Sequence, residues 1–210
     1  MRLCIGQAAK ICFALILLAS GTLVAQDLAK AAPTNPIDGG NLVSLARWRV
    51  SGKEGHLRCE VSQETATADN LPMRILKIYR EGVEKPETIF RFETPDSVLN
   101  MYPLGDYNGR LFTTWVGGSA YHLRVWAFLE GKVKQVLDEG TKIAPEVLYD
   151  DQGRESILVT DPALRDGKWT AKIGTTTVFK WAGQSYEKIG TVPWVKRFQC
   201  VSKESCASLK

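Results

Sequence analysis

Only two histidines and five cysteines are spread through the 210 residues. Neither residue type is arranged at the spacing of a zinc knuckle, so a zinc centre is not expected. No serine or cysteine stands in a nucleophile setting such as Gly-x-Ser-x-Gly, and neither a phosphate-cradling Gly-x-x-x-x-Gly-Lys-Ser/Thr run nor a dinucleotide fingerprint is present. Excess charge is lacking too. With 27 Lys and Arg against 23 Asp and Glu the net charge is +4, which is no footprint for nucleic acid. Beyond residue 25 no apolar run approaches the ~20 residues of a membrane span. A soluble mature chain without a span is therefore expected.

What is present begins with a localisation signal. Arg2 and Lys10 precede the apolar run Ile11–Ala19, small residues follow, and no acidic residue appears before Asp27. A short cationic region ahead of a short apolar core reads as a secretory signal peptide. Cleavage after Ala25 is expected, giving a signal over residues 1–25 and a secreted or periplasmic product. Thr22 stands where a lipoprotein would carry its cysteine. Cys4 and Cys12 leave with the signal, so Cys59, Cys200 and Cys206 remain. Three is odd, and export permits one disulfide. The short loop between Cys200 and Cys206 makes them the candidate pair, with Cys59 as a small buried hydrophobe.

Residues 26–41, rich in proline and glycine around Ala31–Gly40, read as a linker. From there the chain alternates short β-rich segments with glycine turns and never shows an apolar stripe at helical spacing. Thirteen strands are predicted between Leu45 and Cys200, the last at Trp194–Cys200, followed by a frayed tail over 201–210. Three hairpins can be superposed, with turn glycines at Gly82, Gly131 and Gly183, and each has an upstream glycine turn at Gly55, Gly109 or Gly153. A period of roughly fifty residues with four strands per unit is the size of a propeller blade. The fold class is accordingly all-β: an antiparallel meander of about three four-stranded propeller-like units over residues 42–200. Three units are few for a closed ring, so a curled or incomplete propeller, a sandwich, or closure as a homo-oligomer is expected.

The segments Leu104–Phe112 and Leu148–Val159, each leading to a strand with Val125-Trp126 or Val178-Phe179-Lys180-Trp181, resemble degenerate FG-GAP or VCBS-type repeats of secreted bacterial β-propeller-like proteins. That resemblance implies a propeller architecture and, in its intact loops, calcium held by Asp-x-Asp/Asn-x-Asp-Gly. Here the first loop passes from Asp106 and Asn108 directly to Gly109-Arg110, and the second carries Gln152. Asp106, Asn108, Asp150 and Asp151 are thus poor calcium ligands, and no cofactor is expected. A calcium ion wants six to eight oxygens.

His56 and His122 lie in predicted strands, where a half-buried or solvated side chain is the simpler reading than a general base. Six tryptophans and six tyrosines remain as recognition material. Trp126 and Trp181, on strands leading into equivalent turns, are expected to pack between units. Tyr107, Trp115 and Trp169, beside polar or glycine-rich turns, are the candidate binding surface. The expectation is an exported, non-catalytic β-repeat domain that binds or scaffolds a protein or glycan. A carboxylate-dependent hydrolase of glycosidase type is the alternative.

Overall fold

Among the described residues twelve strands follow one another in three meanders. The computed structural model describes residues 41–50, 55–64, 72–81, 86–105 and 109–209. The segments expected as signal peptide and linker up to residue 40, Gly82 and the Asp106–Asn108 loop with Tyr107 lie outside the described residues, as does the side chain of Trp169. All described elements belong to the unit Pro36–Lys210.

The first sheet is β1 (Asn41–Arg49), β2 (His56–Gln63), β3 (Arg74–Arg80) and β4 (Glu87–Thr94). The second is β5 (Ser97–Leu104), β6 (Arg110–Gly117), β7 (Ala120–Leu129) and β8 (Lys132–Thr141). The third is β9 (Glu146–Tyr149), β10 (Glu155–Arg165), β11 (Lys168–Trp181) and β12 (Tyr186–Pro193). Each sheet is antiparallel with its strands in sequence order, and none closes into a barrel. Turn chemistry explains the tight returns. Glu130-Gly131 and Asp166-Gly167 both adopt positive φ at two consecutive positions, as a type I′ hairpin requires.

The repeat extends to the irregularities of the ladders. On the third and fourth strands the register slips at Ile78/Tyr79, Val125/Trp126 and Val178/Phe179, leaving Ile89, Val136 and Ile189 as the extra residues of three matching bulges. This register makes Phe179, and not Trp181 as expected, the repeat equivalent of Trp126. The two tryptophans stand at different distances from their turns, Gly131 following Trp126 by five residues and Gly183 following Trp181 by two.

Two mixed layers hold the sheets together. Trp48, Leu57, Cys59, Val61, Leu76 and Ile78 of the first sheet pack with Leu111, Trp115 and Trp126 of the second. Leu104, Phe112, Leu123, Val125 and Leu137 of the second pack with Ile157, Val159, Phe179 and Tyr186 of the third. The second sheet is therefore covered on both faces, which is why every residue from Arg110 to Trp115 is buried.

Past Pro193 the chain departs from expectation. Residues Trp194–Gln199 form a 3-10 helix, not a thirteenth strand, and the tail carries a short helix, α1 (Lys203–Ser208), rather than fraying. Pro193 has no N–H for a ladder. The helix starts with a capping box in which the Ser202 side chain accepts from the Ser205 amide and the Ser205 side chain accepts in return from the Ser202 amide. The Cys200–Cys206 disulfide is formed, and both cysteines pack with Leu158, Val178 and Val192 on the outer face of the third sheet. Among the described residues Cys59 is the free thiol; it is buried, and burial pushes its pKa up. Among the described residues no helix is long and apolar enough to cross a membrane.

Candidate functional site

Where the β10–β11 ladder ends, the second sheet, the third sheet and the C-terminal cap leave a cleft of about 420 Å³. Its lining comes from Arg110 of β6, Arg154 and Glu155 at the start of β10, Lys180 and Trp181 at the end of β11, and Val201 and Ser202 before α1. The volume lies within the roughly 300–1,000 Å³ of small-ligand sites.

The floor is a buried charge network. Arg110 is the first residue of its strand, and its side chain points from the second sheet toward the third. There its Nη2 pairs with Glu155 Oε1, both side chains only 2% exposed. The Tyr186 hydroxyl donates to the same oxygen at 2.7 Å. The Arg110 guanidinium also lies 4.5 Å from the centre of the Trp181 ring, a cation–π contact. Its Nε has no hydrogen-bond partner. Trp181 and Tyr186 meet because they form the last cross-strand pair of the β11–β12 hairpin, their rings 5.3 Å apart and edge-on. Burial first, and the neighbouring Glu155 charge second, push the Tyr186 phenol far above its ordinary range, with Arg110 pulling the other way.

The rim is cationic and open. Arg154, two-thirds exposed, donates from Nε to Asp150 Oδ2 at 2.8 Å. Lys180 is half-buried, and because it follows Phe179 and precedes Trp181 along a strand, its side chain leaves on the face opposite theirs. The cleft thus wraps around the strand end, with the indole on one side and the lysine on the other.

The sequence had placed its candidate surface elsewhere. Trp115 is 0% exposed, which corrects the expectation of a partly solvated ring. β6 runs on to Gly117 in a sheet covered on both faces, so the glycine turn begins too late to expose it. Its Nε1 donates to Thr113 Oγ1 at 2.9 Å and Trp126 Nε1 does so at 3.1 Å, while Thr113 Oγ1 donates to the Arg124 carbonyl. One hydroxyl thereby fills its donor and both acceptor capacities. Trp126 is buried as expected, whereas Trp181 is only half-buried. The backbone of Trp169 pairs with Leu164 on the long β10–β11 hairpin.

Asp150 and Asp151 sit in the turn between β9 and β10. The Asp150 carboxylate accepts from the backbone amides of Gln152 and Arg154, and these bonds, that of the Arg154 amide foremost, hold its pKa below the usual carboxylate value. Asp106 and Asn108 lie outside the described residues. Among the described residues no group of three or more His, Cys, Asp and Glu is gathered as for a metal ion. His56 is exposed, and His122 Nδ1 lies 4.0 Å from Asp96 Oδ2 beside the β6–β7 hairpin.

Sequence reading passed over Arg110, Lys180 and Tyr186 as site residues. A trace was available in the two turns Gly109-Arg110 and Gly153-Arg154, which look alike in sequence. In the structure the first arginine is inside the ladder and points inward, whereas the second still belongs to the turn and stays in solvent. No protein-family model matches the chain, and no curated protein matches it either.

Proposed function

We propose that the chain is an exported, non-catalytic β-repeat scaffold that binds a protein or glycan partner, and that the cleft at the end of the third sheet is where it does so. The observation that carries this reading is the state of the cleft's one lining carboxylate. Glu155 is buried and already engaged by Arg110 and the Tyr186 hydroxyl. Glycoside hydrolysis by the usual route needs two carboxyl groups facing the scissile bond, roughly 5 to 9.5 Å apart. A half-buried indole beside a lysine and an exposed arginine held by Asp150 is instead the material of a recognition surface.

The N-terminal cation-apolar-small pattern supports export to the periplasm or beyond, and the threefold meander supports kinship with FG-GAP or VCBS-type blades. Calcium has no part in this reading, because Asp150 spends its carboxylate on its own turn. The test pairs a glycan array with assays on aryl glycosides. Retention of particular glycans, lost in Trp181→Ala, with no turnover is the expected result. Turnover abolished in Glu155→Gln would establish the hydrolase instead.

A further inference from the structure

We infer that the cleft recognises an acidic glycan, seating the carboxylates of successive hexuronic acid units on Arg154 and Lys180 and a sugar ring against Trp181; this rests on the binding reading above. The charges of the cleft decide the sign of the ligand. Glu155, its single carboxylate, is neutralised at contact by Arg110. That leaves the Lys180 ammonium as the charge offered to a ligand and Arg154, already paired through Nε with Asp150, as a guanidinium offering its remaining N–H donors. Asp150 holds Arg154 through Nε alone, so the rest of the guanidinium fork keeps its orientation and its donors. A fork of this kind matches a carboxylate through two parallel hydrogen bonds.

The placement of these groups decides the shape. Lys180 and Trp181 are consecutive on β11 and point to opposite faces, so a ligand touching both has to bend around the strand end. A chain of rings, each with a flat apolar face and a carboxylate, does this: one ring covers the indole while a neighbour reaches the lysine. The Arg110 guanidinium, at 4.5 Å from the Trp181 ring centre, fixes the indole in place before any ligand arrives. Pre-positioning of this kind lowers the ordering cost of binding.

The full chain is titrated with oligogalacturonate and with oligoglucuronate, followed by tryptophan fluorescence and calorimetry. The methyl ester of each and an N-acetylated acidic dipeptide serve as controls. Saturable binding of at least one oligouronate is expected, with its ester at least about tenfold weaker, since one charge-assisted hydrogen bond is worth about that factor. Arg154→Ala and Lys180→Ala should each weaken binding by about tenfold while leaving the melting temperature near that of the native protein. Affinity should fall as salt rises. If neither oligouronate binds, or if the esters bind as well as the acids, the inference is overturned. Equal binding of the dipeptide overturns it too, because the sugar ring would then contribute nothing. Should neutral glycans alone bind and depend on Trp181, the acidic assignment fails while the binding reading survives. No retention on any glycan, together with turnover of an aryl glycoside, ends both.

Discussion

Between the first and second sheets lie the indoles of Trp48, Trp115 and Trp126, with Phe90 and Phe92 against them, and their ring contacts run at 5.0 to 5.8 Å. Between the second and third lie smaller apolar side chains in the middle and polar groups at both ends. Thr141, Thr160 and Thr176 are linked by hydrogen bonds at one end, and Arg110, Glu155 and Tyr186 at the other. The sheets share their strand order and the bulge on the fourth strand, but the third departs from the others in its short β9 and its long β10–β11 hairpin with a bulge at Asp161/Ala163, so backbone and side chains both differ between the layers. An aromatic layer tolerates little besides the one hydroxyl that serves two indoles. A layer with polar ends can open to solvent, and the cleft forms at such an end.

The largest effects are expected in the aromatic layer. Trp115→Ala and Trp126→Ala should each destabilise by ~3–5 kcal/mol, through lost transfer energy and the cavity left behind. Thr113→Val removes the shared acceptor and leaves two buried indole N–H groups unpaired, at about 1–3 kcal/mol apiece. Chemical denaturation measures all three. A Trp115 variant losing only about 1 kcal/mol, the cost of an average substitution, would erase the contrast between the two layers.

In the polar-ended layer the effect depends on how the pair is broken. Arg110→Met alone strands a buried carboxylate and should cost ~3–5 kcal/mol, whereas the double variant Arg110→Met/Glu155→Leu should recover most of that loss. No pair of substitutions in the aromatic layer offers such recovery, since volume is lost there rather than charge. The phenol of Tyr186 adds a pH signature. Its pKa is raised in the folded protein, so its contribution is complete below the unfolded tyrosine value of about 10 and falls as pH rises above it. Tyr186→Phe should flatten the alkaline decline in denaturation profiles. An unchanged decline would mean that the phenol titrates as it does in solvent.

The outer face of the third sheet gives a third, smaller effect. A Cβ on Gly190 would come 3.0 Å from Cys206 Sγ and closer still to its Cβ, so Gly190→Ala must push the disulfide off the sheet. Reduction of a loop this short is expected to cost about 2 kcal/mol in the chain-entropy description. If Gly190→Ala and reduction act through the same seat, their combined loss in melting experiments will be less than the sum of the two. Full additivity would show the glycine to be indifferent to the cap.

How much of this was legible in the sequence follows from the range of the interactions. Strands and turns are local, and alternation with glycine at positive φ placed most strands close to their observed bounds, although the outer half of the long β10–β11 hairpin, Asp161–Thr175, was not expected as strand. The Cys200–Cys206 pairing was legible for the same reason. Trp115 was misjudged because its burial comes from Phe92 of another sheet and from a hydroxyl two residues away, neither of which leaves a periodic mark. The helical cap was missed because a six-residue helix has no stripe to detect, although Ser202 and Ser205 carry its capping signal. The cleft was invisible for a plainer cause. Arg110 and Glu155 are far apart in the chain and meet only once two sheets have stacked.

The smallest effect is expected at the turn that steadies Arg154. Asp150 is half-buried and in no layer, and it receives two backbone amides and the Arg154 Nε. Asp150→Asn keeps an acceptor oxygen but loses the charge, so the fold should survive with a shift in melting temperature that is small beside the others. Because its pKa is lowered in the folded protein, the carboxylate contributes stability above the unfolded value of about 3.9, and that contribution is lost as pH falls through the folded value. Acid melting curves of the native protein should therefore decline slightly more steeply than those of the variant. The same substitution frees the Arg154 fork to swing. Oligouronate affinity should drop at neutral pH, where stability is hardly changed, and that separation of binding from stability sets the turn apart from both layers. Equal affinity in Asp150→Asn and the native chain would remove Asp150 from the site and leave Arg154 acting without a fixed orientation.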